Sequence, residues 1–268
     1  MTISSKGCAE IPREFFNIES GGASCSSVSQ PWVNGGSWSC MSETCDDDDD
    51  DDDDDLPPRI DWREMGAVND VMNQLDCDSC WVFSAVTSVE GILKIKTDVL
   101  LKLSPQQLVD CSKCTNGCKE SYLNKAFKYI KKKGLVKDDC YPYSGIKGKC
   151  CCAGMEHFGR ISDYKKLPKG ESFLRRAVSK QPVSVIVVLN DAFKEYDGGI
   201  FRGPSEVTYP LQWHSLNVIG YETKDYGRKY WILKNSWGKN WGEGGFMKME
   251  MNKGLCGIGM YGYYPILD

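Results

Sequence analysis

At 268 residues, with 41% apolar content and eight Trp, the chain is long enough to bury one core or two half-cores, and wholesale disorder is excluded. Its formal charge of −4 hides a division: ten of the 37 acidic residues form one run, Asp46 to Asp55, while residues 56–268 alone carry +8. No stretch approaches about 18 consecutive apolar residues, which excludes a membrane-spanning helix.

Residues 1–45 are rich in Ser and Gly, hold Cys8, Cys25, Cys40 and Cys45, and show little apolar periodicity. They read as a small disulfide-stapled module or as an unfolded leftover, and four Cys leave three pairings open. Met1 to Phe16 has no apolar core of a secretory signal, so the start reads as processed. Residues 46–55 read as a solvated linker, because ten like charges repel. Binding of calcium or mineral, or docking onto the basic body, are the functional alternatives for that run.

From Leu56 the text becomes globular. Val82, Ala85/Val86, Val89 and Ile92/Leu93 recur at helical spacing between Ser79 and Ile95. Ser104-Pro105-Gln106-Gln107 predicts a helix start, with Ser104 as N-cap, Pro105 at the first helical position and Gln107 closing a capping box. Tyr122 to Lys133 predicts a third helix, stopped by Gly134. Later, Val183–Leu189, Leu216–Tyr221, Lys229–Lys234 and Phe246–Glu250 read as strands. Helices followed by strands predict an α+β protein in two lobes, with a site in the cleft between them.

Fourteen Cys are too many for an ordinary cytosolic enzyme unless metal holds them. Cys77-x-x-Cys80 and Cys111-x-x-Cys114 have zinc-like spacing, but the chain has only two His and Cys80 leads into an apolar helix. Disulfides, and hence an oxidising compartment, are the expectation. Cys80 is then the candidate nucleophile. The start of a helix stabilises a thiolate, and Cys77 is available for the structural role. A thiolate needs a base. His157 sits in a polar stretch and reads as a surface loop residue, which leaves His214, just before the strand at Leu216. Lys234-Asn235-Ser236-Trp237-Gly238, followed by Trp241-Gly242-Glu243-Gly244-Gly245-Phe246, is the most specific text in the chain. Taken alone it reads as turn and core packing. Beside a catalytic His, the Asn235 amide can orient the imidazole while Trp237 excludes water. Gln74 offers an amide that forms an oxyanion hole with the Cys80 backbone N–H.

These residues, with Asp61-Trp62-Arg63, Leu108-Val109-Asp110-Cys111, Tyr141-Pro142-Tyr143, Gln181 to Val185 and Gly198-Gly199-Ile200-Phe201, make residues 56–268 resemble a papain-family cysteine protease of plant type. The resemblance implies a helical left lobe, a β-barrel-like right lobe and a catalytic cleft between them. It implies Cys80 as nucleophile, His214 as base, Asn235 as orienting amide, Gln74 as oxyanion donor and Trp237 as shield. It further implies peptide or protein substrates, protein inhibitors of the cystatin type, a monomer, and a vacuolar, lysosomal or extracellular location. No cofactor, metal, nucleic acid or membrane partner is implied.

The departures from the family pattern cluster around the cleft. Asp78 and Leu75 stand where the family has Gly, in tight turns near substrate, and a charge at Asp78 should raise the Cys80 pKa. Lys119-Glu120-Ser121 replaces an Asn-Gly-Gly run, and Trp213 precedes the base. The resemblance puts Tyr122, Leu123, Ile186, Ser215 and Tyr261 in the walls of an apolar, rather closed substrate pocket. It pairs Cys77 with Cys118 and Cys111 with Cys150, and leaves Cys256 without its family partner, where Ser205 stands. Cys114 with Cys140 is an extra pairing to be considered, and Cys151 and Cys152 stay unassigned. A catalytically weak or inactive homologue with a binding, storage or defence role is the alternative to an active endopeptidase.

Overall fold

The computed structural model describes residues 55–113, 117–203, 211–225 and 228–268. The extension 1–45 and the Asp run, except Asp55, lie outside the described residues. In chain order the elements begin with β1 (Arg59–Asp61), α1 (Cys80–Thr97), α2 (Pro105–Cys111) and α3 (Leu123–Lys133). There follow β2 (Asp163–Lys166), α4 (Glu171–Val178), β3 (Val183–Leu189), α5 (Asp191–Lys194) and β4 (Ile200–Phe201). The chain closes with β5 (Gln212–Asp225), β6 (Arg228–Lys234), β7 (Phe246–Glu250) and β8 (Gly262–Ile266).

The molecule is α+β with two cores. Val82, Ala85, Val86 and Val89 of α1 pack with Leu108 and Val109 of α2 and with Leu123, Ala126, Phe127 and Ile130 of α3. The second core takes alternate residues of the sheet: Val183, Val185 and Val187 of β3, Leu216 and Val218 of β5, and Trp231 and Leu233 of β6. Leu174 and Val178 of α4 close over it. Among the described residues the sheet runs β2-β8-β3-β5-β6-β7-β4, with β1 beside β5. Among the described residues, only β4 and β7 pair in parallel. The barrel-like lobe is thus a mixed sheet with two ends, not a closed barrel.

The expected elements recur with physical differences. Ser104 Oγ accepts from the Gln107 backbone N–H at 3.1 Å, so the N-cap is present. The capping box is only half made. Gln107 turns away to receive the Val136 N–H at 2.7 Å and to donate to the Gly134 carbonyl at 3.2 Å. Gly134 ends α3 at φ 73°. Helix α1 is buried on every side from Cys80 to Leu93, because it lies between the helical core and the sheet.

A polar seam docks α1 on the sheet. Asn217 Nδ2 donates to the Ser84 carbonyl and to Ser88 Oγ, each at 2.9 Å. Ser184 Oγ also reaches the Ser84 carbonyl at 2.9 Å and lies 2.8 Å from Ser88 Oγ. Ser84 Oγ donates to the Leu216 carbonyl at 2.9 Å. Further along, Gly91 meets Pro182 so closely that an added Cβ would stand 2.6 Å from its ring. Replacing Asn217 by Leu removes its two donations, while Ser184 still serves the Ser84 carbonyl and Ser88 Oγ. A hydrogen bond contributes about 0.5–1.5 kcal/mol net, so urea unfolding of Asn217→Leu should show a lower midpoint at unchanged slope.

Candidate active site

Cys80 is the first residue of α1 and fully buried. Its backbone N–H therefore has no acceptor within the helix. His214 is the third residue of β5 and also buried. The seam sets their relation. Ser84, one turn after Cys80, bonds to Leu216, two residues after His214, and Asn217 then reaches Ser84 and Ser88 in the same order. α1 and β5 therefore run side by side, with Cys80 one turn before the Ser84–Leu216 bond and His214 two residues before it.

His214 Nε2 lies 2.7 Å from Asn235 Oδ1. The same oxygen accepts the Ser236 backbone N–H at 2.8 Å. Flipping the Asn235 amide would set its NH2 against that N–H, so the oxygen is fixed toward the imidazole. Nε2 consequently carries the proton and Nδ1 is left as the basic nitrogen. Trp237 covers the pair, its ring 4.6 Å from the imidazole. Trp237 is held in turn by Phe193 and Trp241, with centroids at 6.1 and 5.3 Å. The Trp/Gly text is therefore both a packing unit and a roof. Gly245 (φ 92°) receives the Asn235 N–H at 3.0 Å and approaches Val71 where an added Cβ would stand only 2.5 Å away.

Gln74 stands beside this pair because its backbone N–H donates to the Ser236 carbonyl at 2.8 Å. Its Oε1 accepts from Ser236 Oγ at 2.7 Å, and its Nε2 donates to the Cys77 carbonyl at 3.0 Å. One amide hydrogen thus fixes the orientation of the group. Tyr143 OH donates to the Gln74 carbonyl at 2.8 Å. Burial pushes its pKa up to about 12, against the hydrogen bond from Ser79, so it remains a donor. Ser236 and Tyr143 were not singled out from the sequence, although both lie in quoted motifs. Their roles depend on which chain segment passes alongside.

Around this centre, Asp78 N donates to the Cys118 carbonyl at 3.1 Å and Trp81 Nε1 to the Lys119 carbonyl at 3.3 Å. With the Cys77–Cys118 disulfide, these bonds tie the Lys119-Glu120-Ser121 run to the turn before Cys80. Of the two replaced Gly positions, only Leu75 has a left-handed backbone, at φ 55°. Asp78 makes no such demand on the backbone. Ser121 Oγ is buried without a hydrogen-bond partner among the described residues.

The pocket walls divide. Ile186 pairs with Ser215, its N–H donates to the Tyr261 carbonyl at 3.0 Å, and Tyr261 meets Trp213 edge-on at 6.1 Å. Tyr122 caps α3 beneath Lys125, whereas Leu123 belongs to the helical core. His157 is an exposed residue next to the Gly134 carbonyl.

The disulfides Cys77–Cys118 and Cys111–Cys150 are both present, which removes the zinc reading of Cys77 and Cys111. They fit an oxidising compartment. Cys140 is a free thiol, against the considered pairing with Cys114, which lies outside the described residues. Cys256 is free and buried, its pKa pushed up to about 12 by burial; Ser205 lies outside the described residues. Cys80 is itself disulfide-bonded. Its nucleophilic role therefore concerns the reduced chain.

Behind Asn235, a cavity between α1 and β5–β6 is lined by Thr87, Glu90, Asn217 and Lys234. Burial raises the Glu90 pKa and lowers that of Lys234, and their mutual attraction opposes both shifts.

Burial pulls the His214 pKa down to about 4, against the bond to Asn235, which raises it. The unfolded chain takes up this proton near pH 6.5 and the folded chain does not. Stability contributed at His214 should therefore be intact above about pH 6.5 and lost as the pH falls toward about 4. Imidazole NMR of His157→Gln, which leaves one ring, should show His214 neutral down to that pH while Cys80 remains oxidised.

Residues 56–266 match the family described as papain family cysteine protease. Fruit bromelain of Ananas comosus is 39% identical over 219 residues, 80% of this chain and 61% of that protein. Zingipain-2 of Zingiber officinale is 43% identical over 218 residues, 79% of this chain and 97% of that protein. The chain thus spans about three fifths of the first relative and nearly all of the second. Among solved structures, the bromelain protease from Ananas comosus in complex with the E64 inhibitor has a TM-score of 0.75 and 42% identity. That match covers 80% of this chain and 100% of the other.

Proposed function

The chain belongs to the papain family of cysteine proteases, and from that premise we propose that it is an endopeptidase working through Cys80, His214 and Asn235, with Gln74 as oxyanion donor. The observation that carries this reading is the 2.7 Å bond from buried His214 to Asn235 beneath Trp237.

In the reduced chain, Cys80 passes its proton to His214 Nδ1, and the thiolate gains stability from the imidazolium and from the helix start. The thiolate attacks a peptide carbonyl. The developing oxyanion is met by the Cys80 N–H and the second hydrogen of Gln74 Nε2. His214 then gives its proton to the departing amine, leaving a thioester on Cys80. Deacylation runs the same route in reverse: His214 draws a proton from water, which attacks the thioester and releases the acid. Asn235 holds the ring through both transfers without adding a charge that would anchor the proton on it.

Substrates are peptides or proteins bound along the rim formed by Asp78, Glu120, Ser121, Tyr122, Ile186, Trp213, Ser215 and Tyr261. The working unit is a monomeric domain from residue 56 onward, borne on a poly-Asp linker, in a vacuolar, lysosomal or extracellular setting. It is open to inhibitors of the cystatin type. A second reading, a family member with little or no turnover and a binding, storage or defence role, is favoured by Asp78 and the Lys119-Glu120-Ser121 run, which the Cys77–Cys118 disulfide ties to the turn before Cys80.

After mild reduction, an epoxysuccinyl inhibitor should label Cys80 stoichiometrically and peptide turnover should appear, with both lost in Cys80→Ser. A folded, reduced chain that takes no label overturns the endopeptidase reading. If wild type labels but does not turn over, and Gly at positions 78, 120 and 121 restores turnover, the second reading stands. In an active enzyme, Asp78→Asn should move the acid limb of the kcat/KM profile to lower pH, because a neighbouring negative charge raises a thiol pKa.

A further inference from the structure

Beyond the cleft, three sulfurs gather at the C-terminal end of α2. Cys111 and Cys150 are bridged, and the free Cys152 Sγ lies 3.5 Å from Cys111 Sγ and 3.7 Å from Cys150 Sγ. Cys151, between them in sequence, turns the other way, its thiol 3.2 Å from the Lys149 carbonyl. Cys150 and Cys152, two residues apart, thus both lie against Cys111. The stretch is held there by polar links independent of the bridge. Tyr141 OH receives the Cys151 N–H at 3.1 Å and donates to Asp110 Oδ2 at 2.9 Å, and Gly148 N donates to Asp110 Oδ1 at 2.6 Å.

We propose that this cluster is an internal thiol–disulfide exchange site, in which Cys111 pairs alternately with Cys150 and Cys152. Cys152 releases its proton to solvent and its thiolate attacks Cys111 Sγ. The Cys111–Cys150 bond breaks, and Cys150 leaves as a thiolate that takes up a proton. One disulfide and one thiol exist before and after, so no external oxidant or reductant is required. At rest Cys152 flanks the S–S bond from its side, so the in-line approach comes with rotation of the exposed 149–152 stretch. The polar links from Tyr141 and Asp110 keep the partners together during that rotation. Exchange lengthens by two residues the chain between the bridge and Gly145. Gly145 packs on Leu75, where an added Cβ would come within 2.7 Å of Leu75 Cδ1, so the slack is delivered beside Gln74.

The test incubates the oxidised chain without added thiol and with a metal chelator, quenches in acid, and blocks free thiols with N-ethylmaleimide. Reduction, iodoacetamide labelling and fragmentation of the tryptic peptide 150–160 then show which cysteines were free. Exchange predicts maleimide on Cys151 and shared between Cys150 and Cys152, with an exchange rate rising about tenfold per pH unit below the thiol pKa. Cys152→Ser should abolish maleimide at Cys150, and Cys150→Ser should yield a folded chain bridged from Cys111 to Cys152. Maleimide confined to Cys151 and Cys152 at every pH, or a free Cys111 in folded Cys150→Ser, overturns the proposal.

Discussion

The amide of Asn217 is the interaction on which the site depends. It is buried, and it joins Ser84 and Ser88 of α1 to the middle of β5, with Ser184 of β3 completing the circuit. A hydrophobic interface between a helix and a sheet tolerates sliding, because dispersion and burial have little directionality. Hydrogen bonds to fixed acceptors do not. Each additional donor removes one way for α1 to slip, and the register of the helix against the strand decides whether a thiol at its start meets an imidazole near the strand's start.

That register is invisible in the sequence, although its elements are not. Val183–Leu189 and Phe246–Glu250 are legible end to end because they are dense in β-branched or alternating apolar residues. The third helix is legible because Gly134 stops it. By contrast, β1, β2 and β8 are short, polar or interrupted by Pro, and exist because neighbouring strands supply partners. The α1 pattern announces one apolar face, yet the helix is buried all round. Ser84, Ser88 and Gly91 are small so that the sheet can come close, a cue that reads as polarity until the partner is known. Gln107 gave a capping-box signal and spends its side chain on Val136 instead, since a tertiary donor competes with a local one.

The candidate site could be named for a compositional reason: with two His in the chain, the proposed base is chosen almost by elimination, and Asn235 to Gly238 then has one obvious neighbour. What escaped is the layer that holds those groups. Ser236 links Gln74 to Asn235 only because residues 72–74 run beside 236–238. The engagement of the Cys80 sulfur is likewise a fact of pairing, and a list of cysteines does not contain it. The charge at Asp78 could be read from the text, but the left-handed turn beside it belongs to Leu75 alone.

The contact between Gly91 and Pro182 bears on stiffness. Gly91 lies three turns along α1 from Cys80, about 16 Å at the usual rise, and no side chain separates the helix backbone from the proline ring. The two lobes therefore bear on each other there almost as solid surfaces, like the fulcrum of a pair of tongs. A single methyl group at that point would have to displace the ring or the helix backbone. The spacing of α1 from the start of β3 is thus set by an atom that is missing, not by one that is present.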